Sequence, residues 1–282
     1  MTVGPTRRVW LGAIAAVVLL VAGCRDAPSP PAVTSATPPP QRIVSLAPAL
    51  TSMLFRLGLG AQVVGVTRYC DDPPEAATRP KIGGFADPDL EAIVTLRPDL
   101  VVGVESPGEA AVAARLQGLG VRTLAVRQGD LAATWAALST VGDATGKRPE
   151  ADRLATEAQS ALKAAAADCH GLQGKRALFV YGRNPMVISG PGSYGDELLR
   201  LVGAVNVAGG LAQAYPKITA EELVRLRPEI LLDATMDGGA GGDFAALPGL
   251  PGLRVEKIDQ PGLLQPGLRV AEGLRALAGR FP

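Results

Sequence analysis

From residue 42 onward, short apolar runs alternate with stretches whose apolar positions fall at helical spacing. The first run, Ile43 to Leu46, is followed by Pro48 and by a helical stretch from Leu50 to Leu57 that ends at Gly58; a second strand is predicted at Val63 to Val66. A loop from Thr67 to Pro88 leads to a short helix over Leu90 to Leu96. Arg97-Pro98 stops that helix, because proline disfavours helical geometry in the residue before it. Leu100 to Val102 is unbroken in its apolar character, as expected of a parallel strand covered on both faces. A helix around Ala110 to Leu119, Gly120 and a strand from Val121 to Val126 continue the series. Alternation of this kind predicts an α/β fold.

The pattern then recurs. Leu198-Leu199-Arg200-Leu201 matches Leu54-Phe55-Arg56-Leu57, and the segment from Glu91 through Arg97-Pro98-Asp99 matches the segment from Glu221 through Arg227-Pro228-Glu229. The two offsets, 144 and 130, place about 14 additional residues in the first copy, in the loop that holds Tyr69 and Phe85. Two Rossmann-like lobes of one plan are implied. Between them, from about Pro149 to Asp168, an alanine-rich stretch without proline or glycine is the strongest helix former in the chain. The predicted organisation is a first lobe over 42–142, a single long interlobe helix within 143–170 and a second lobe over 171–282. Lobes of this type carry their ligand loops at the carboxyl ends of the strands, so a ligand cleft is expected between them.

The residues before 42 have a different character. Arg7 and Arg8 precede an apolar run, Val9 to Val21, which ends in Ala22-Gly23-Cys24: the charged, apolar and small-residue regions of a secretory signal. Small residues directly before a cysteine resemble the lipobox of bacterial lipoproteins, which makes 1–23 a signal peptide and Cys24 the lipidated N-terminus. A plain cleavable signal and an uncleaved membrane segment are the other readings of the same run. Residues 24–41 form a Pro/Ser/Thr/Ala tether with nothing to bury, expected to be extended. The remaining cysteines, Cys70 in a loop and Cys169 at the end of the alanine-rich helix, are expected to be two separate thiols.

Composition narrows the chemistry. The 28 basic residues are spread over the chain and nearly balance the 27 acidic ones, leaving a net charge of +1 and no stripe with which to hold a nucleic acid. A single histidine, His170, excludes multi-histidine metal sites, and it reads as a solvated residue at a helix end. Gly190-Pro-Gly192-Ser-Tyr-Gly195 fits a dinucleotide loop, but no acidic partner follows near position 215, so a close-packed turn is the better reading. No nucleophile elbow, Walker loop, CxxC or HExxH is present, and no cofactor or metal is expected. Of the eleven aromatic residues, Tyr69, Phe85, Tyr181 and Tyr215 lie in the predicted strand-to-helix loops. Together with Asn184, Pro185 and Met186 they form the candidate ligand wall, suited to a broad and largely apolar ligand.

The stretch RIVSLAPALTSMLFRLGLGAQVVGVTRYCDDPPEAATRPKIGGF, followed by ADPDLEAIVTLRPDLVV, YGRNPMVISG, YPKITAEELVRLRPEILLD and LLQPGLRVAEGLRAL, resembles the vitamin B12-binding proteins of bacterial ABC importers. These sit within the wider family that captures cobalamin, haem and ferric siderophores, and the likeness covers nearly all of residues 42–282. The resemblance implies a binding protein rather than an enzyme: an exported monomer, lipid-anchored and facing the periplasm or cell exterior, that delivers cobalamin to a permease dimer with its ATPase subunits. It further implies that Glu91 and Glu221 dock the two lobes onto the permease, and that Tyr69, Phe85 and Tyr215 occupy positions where family members carry aromatic residues against cobalamin. Val187 stands where some members have phenylalanine, and Gly103-Val104-Glu105 offers no aromatic residue, so a less aromatic pocket is expected. Haem, with Tyr69, Tyr181, Tyr215 or Met186 as an axial ligand, and a ferric siderophore, held by Arg68 and Arg183, are the alternatives within the family. An exported two-lobed enzyme is the alternative outside it.

Overall fold

The computed structural model describes residues 38–85, 87–235, 244 and 248–281. Cys24 and residues 1–37 of the expected signal and tether lie outside them. The first half is a four-stranded parallel sheet in the order β2-β1-β3-β4, built from β1 (Ile43–Ser45), β2 (Val63–Val66), β3 (Leu100–Val104) and β4 (Thr123–Val126). Both central strands, β1 and β3, are buried at every position, as expected of parallel strands covered on both faces, and Ser45 is their one polar residue. The connecting helices are α1 (Pro48–Arg56), α2 (Pro74–Ala77), α3 (Leu90–Thr95) and α4 (Pro107–Gly118), and α5 (Leu131–Thr145) follows β4.

α6 (Arg148–Ala167) runs for 20 residues, about 30 Å at 1.5 Å per residue. Its first half packs Ala151, Leu154, Ala155 and Ala158 on the core beneath β1 and β3. Its second half packs Ala161, Leu162, Ala165 and Ala166 on the core of the following sheet.

That sheet contains β5 (Arg176–Arg183), β6 (Met186–Ile188), β7 (Val205–Asn206), β8 (Lys217–Ile218), β9 (Ile230–Asp233) and β10 (Arg254–Lys257), with α7 (Tyr194–Leu201), α8 (Ala220–Leu226), α9 (Pro261–Leu264) and α10 (Val270–Ala278). Its parallel strands run β7-β5-β9-β10, the order of the first sheet, and the antiparallel strands β6 and β8 extend it past β5.

The repeat seen in the sequence is reproduced atom by atom at one joint. Arg97 and Arg227 end α3 and α8 in the left-handed conformation, at φ 46° and 48°, a conformation that side chains other than glycine seldom adopt. In the first lobe the Arg42 side chain donates to the carbonyls of Leu96 (2.7 Å) and Arg97 (3.2 Å), and its backbone N–H donates to Asp99 (3.0 Å). In the second, Arg176 donates to Leu226 (2.7 Å) and Arg227 (3.1 Å), and its N–H to Glu229 (2.9 Å). The Arg-Pro-acid motif is therefore a structural clamp: an arginine at the start of the central strand satisfies the last carbonyls of the helix, and the acid returns a bond to that strand.

The structure differs from the sequence expectation in two places. The expected boundary at 142/143 falls inside α5, a helix that the apolar pattern does not predict; Gly146, left-handed at φ 71°, closes it before α6 begins. Tyr181 and Met186 do not lie in loops, because β5 continues through Arg183 and turns at Asn184-Pro185 into β6, with Arg183 paired to Met186.

The lobes are tied to each other at several points. The Leu131 N–H, at the start of α5, donates to Glu197 of α7 (2.9 Å), Arg56 pairs with Glu272 (3.2 Å), Arg269 pairs with Asp72 (3.5 Å), and Leu268 is buried in the first-lobe core. Trp135 of α5 packs against both cores.

Candidate ligand-binding site

The residues singled out above are distributed over both lobes: Tyr69 and Phe85 in the segment after β2, Tyr181 within β5, Asn184 and Pro185 at its turn into β6, and Tyr215 just before β8. In the first lobe, β2 runs into a tight turn in which the Cys70 N–H donates to the Thr67 carbonyl (3.1 Å), leaving Tyr69 58% exposed. The neighbouring segment is held beside it: the Arg68 N–H donates to the Gly83 carbonyl (2.9 Å), and the Arg68 guanidinium pairs with Asp87 at 2.5 Å across the turn that carries Phe85. Each partner favours the charged form of the other, so Asp87 is held below the ordinary carboxylate value by Arg68 and Arg68 is raised by Asp87. The same guanidinium lies 5.5 Å from the centre of the Tyr69 ring. Tyr69 and Phe85, the latter 45% exposed, thus stand on two segments locked side by side.

In the second lobe an aromatic series leads from the core outward. Phe179, which is buried, stacks on Tyr181 (6.1 Å, 10°), and Tyr181 meets the edge of Tyr215 (5.7 Å, 64°), which is 47% exposed. The Tyr215 hydroxyl accepts from the Tyr194 N–H at the start of α7 (3.3 Å), and burial pushes the Tyr181 hydroxyl well above its ordinary value. Gly195 is what lets Tyr181 lie here, since a Cβ at that position would stand 2.5 Å from the Tyr181 hydroxyl. At Gly190 a Cβ would stand 1.9 Å from the Gln213 carbonyl. Close packing thus explains Gly190 and Gly195 of the dinucleotide-like motif, and a left-handed backbone at φ 74° explains Gly192.

Asn184 and Pro185 are exposed at the β5–β6 turn, but Met186 is not brought to the aromatic series. It packs with the cluster of Leu178, Val180, Ile188 and Leu223, whereas Phe179 and Tyr181 belong to the cluster on the opposite face of the sheet.

Sequence reasoning missed the polar network beneath this site. At the carboxyl ends of β5, β9 and β10, Arg183 pairs with Asp233 at 2.5 Å and donates to Thr235 (3.1 Å), Thr235 donates to Asp233 from both its N–H (3.0 Å) and its hydroxyl (2.6 Å), and Lys257 lies 3.6 Å from the same carboxylate. Burial opposes ionisation of Asp233, but the bonds from Thr235 and the charges of Lys257 and Arg183 outweigh it and hold the carboxyl below its ordinary value. The aspartate that ends the apolar run Ile230-Leu-Leu-Asp233 was the available signal for a buried ion pair.

Glu91 and Glu221 occupy the same place in α3 and α8, second in each helix after the capping residues Asp89 and Thr219. Both are exposed, and neither forms an ion pair among the described residues. Glu91 stands on the rim of a surface hollow lined by Pro80, Lys81 and Thr95. Glu221 is held below the ordinary carboxylate value by its own backbone N–H and the Thr219 hydroxyl. Cys70 and Cys169 are both buried and free, and His170 is exposed. No described group of acidic, cysteine and histidine side chains could hold a metal ion, and no described helix is long and apolar enough to cross a membrane.

Residues 43–246 match the model of the periplasmic binding protein family. The chain belongs to this family. It is therefore a substrate-binding protein of transport rather than an enzyme, exported to work outside the cytoplasm. Among curated relatives, a vitamin B12-binding protein of Vibrio parahaemolyticus is 26% identical over 255 residues, covering 88% of this chain and 92% of its own. An uncharacterized ABC transporter substrate-binding lipoprotein of Bacillus subtilis is 27% identical over 252 residues, covering 85% and 79%. Among solved structures, a periplasmic haem-binding protein of Roseiflexus in its apo form superposes with a TM-score of 0.74 at 26% identity, over 86% of this chain and 97% of that one. This binding protein accordingly shares its architecture with relatives named for different ligands.

Proposed function

We propose that this binding protein captures a corrinoid, cobalamin or a close relative, between its two lobes and delivers it to the permease of an ABC importer. The observation that carries the choice of ligand is the state of its two cleft arginines. Arg68 is paired with Asp87 and Arg183 with Asp233, so each cation that an anionic ferric siderophore would need already has a carboxylate. Cobalamin offers a broad ring with amide arms, and it calls for exposed ring faces and neutral hydrogen-bonding groups. Tyr69, Phe85, Tyr215 and Asn184 supply these, and the name of the Vibrio parahaemolyticus relative agrees. A second reading, haem, is favoured by the exposed Tyr69, which is open to an iron centre, and by the Roseiflexus neighbour.

Absorption spectra after incubation with cyanocobalamin, haemin and a ferric siderophore separate these readings, and tight binding of haemin with indifference to cobalamin overturns the first. Calorimetry on Tyr69→Ala, Phe85→Ala and Tyr215→Ala, each checked for folding, then tests the walls. Loss of a buried aromatic anchor costs about 2 kcal/mol or more of binding. Wild-type affinity in all three variants would move the site elsewhere.

Delivery rests on Glu91 and Glu221 as the permease contacts of the two lobes. Retention at the membrane rests on a lipid at Cys24, which the mass of the N-terminal peptide from native membranes checks; an unmodified cysteine there would refute it.

A further inference from the structure

Beneath Tyr69 lies a buried chain of hydroxyl and thiol groups. The Cys70 sulfur is 3.0 Å from the Thr67 hydroxyl and 3.1 Å from that of Thr51, which in turn lies 2.8 Å from the Ser45 hydroxyl. Ser45, Thr51, Thr67 and Cys70 are all at most 1% exposed, although Tyr69, between two of them, is the most exposed aromatic residue of the protein's described part. A thiol is one donor and one acceptor, so Cys70 can serve both hydroxyls at once. Among the described residues its sulfur is the only partner of the Thr67 hydroxyl. The Cys70 carbonyl is fixed as well, accepting from Lys81 Nζ (3.1 Å).

We propose that Cys70 is a positioning residue for the ligand: its thiol locks the turn from Thr67 to Cys70 and so pre-sets the direction in which Tyr69 meets the cleft. This rests on the reading of Tyr69 as a ligand wall. An exposed tyrosine on a loose turn would have to be ordered at the moment of binding, whereas one held from below has already lost that freedom. Packing alone does not account for the arrangement, because a buried apolar side chain of similar size would fill the same space while leaving the Thr67 hydroxyl without a partner.

The test compares Cys70→Val, which keeps the volume and removes the hydrogen bonding, with Cys70→Ser, which restores it, and with Thr67→Val, which cuts the contact from the other side. Calorimetry with cyanocobalamin and with haemin should show binding weakened about tenfold in Cys70→Val and Thr67→Val, and within about threefold of wild type in Cys70→Ser. On a Tyr69→Ala background Cys70→Val should add nothing, since the thiol acts through that ring. Without ligand, amide hydrogens of residues 67–70 should exchange faster in Cys70→Val but not in Cys70→Ser. Wild-type affinity in Cys70→Val, or an undiminished loss on the Tyr69→Ala background, overturns the proposal. If wild type binds neither ligand, the reading of the cleft falls, and the exchange measurement alone decides whether Cys70 holds the turn.

Discussion

Glu109 shows how a single residue couples this fold to pH. It is only 8% exposed, neither of its oxygens has a partner at hydrogen-bond geometry among the described residues, and burial pushes its carboxyl up to about 7. Gly103 makes the space, since a Cβ there would lie 1.8 Å from Oε1, and the other groups around it, Leu46, Val101, Leu116, Thr123 and Leu124, carry no charge. The unfolded carboxyl titrates near 4.5, so the folded state holds the proton to higher pH. Stability should therefore fall as pH rises from about 4.5 through about 7, and level off above. In Glu109→Gln this decline should be largely absent. Denaturant titrations at a series of pH values check it; superimposable profiles for the two proteins would exclude Glu109 as the cause. The sequence points the other way at this residue. Ser106-Pro-Gly-Glu109 is spelled like the reciprocal cap that Thr219 and Glu222 complete in α8, yet in α4 only the Ser106 half is formed. Nothing local distinguishes a glutamate that caps from one that turns inward over a glycine of the preceding strand.

At the scale of elements, what could be read from the sequence depended on how plainly composition or repetition marks an element. The four first-lobe strands were legible from their short apolar runs, and α3 and α8 because the Arg42 and Arg176 clamps impose the same residues on both copies. α6 was legible from its composition. α5 was not: its buried positions, Leu131, Ala133, Thr134, Ala137, Leu138, Val141, Gly142 and Thr145, share one half of the helix, but that half includes two threonines and a glycine while the other half carries Ala132, Trp135 and Ala136, so no apolar stripe stands out in the sequence. β6 was missed because Tyr181 to Met186 reads as a turn, although pairing across it continues the sheet. For the site, the exposed aromatics could be named in advance, but the pairing of Arg68 and Arg183 with carboxylates could not, because both partners are distant in sequence. The junction of α5 and α6 is a further point of measurement. Gly146 adopts a left-handed conformation there, and Gly146→Ala should lower stability by roughly 1 kcal/mol, read from the denaturation midpoint at unchanged slope. A neutral effect would mean that the junction shifts to relieve the strain.

For the whole molecule, the repeated plan places Glu91 and Glu221 at equivalent points of two lobes, exposed and without an ion pair among the described residues, while the candidate ligand walls Tyr69, Phe85 and Tyr215 stand on other segments. Capture and delivery should consequently separate. Glu91→Ala with Glu221→Ala is expected to bind ligand as wild type does and to lose uptake in reconstituted vesicles, with the wild-type interaction weakening as salt rises. Equal loss of binding and uptake would join the two roles. The position of Trp135 has an optical consequence. The chain has two tryptophans, and the other, Trp10, lies in the segment expected to be removed. In a protein beginning at residue 24, all indole emission therefore originates from one side chain that touches both cores. Corrinoids and haem are coloured, and a coloured ligand seated between the lobes should drain that emission by energy transfer, without any label. Quenching by cyanocobalamin that saturates at one equivalent would report occupancy directly, whereas unquenched emission at saturating ligand would place the chromophore far from the junction of the lobes.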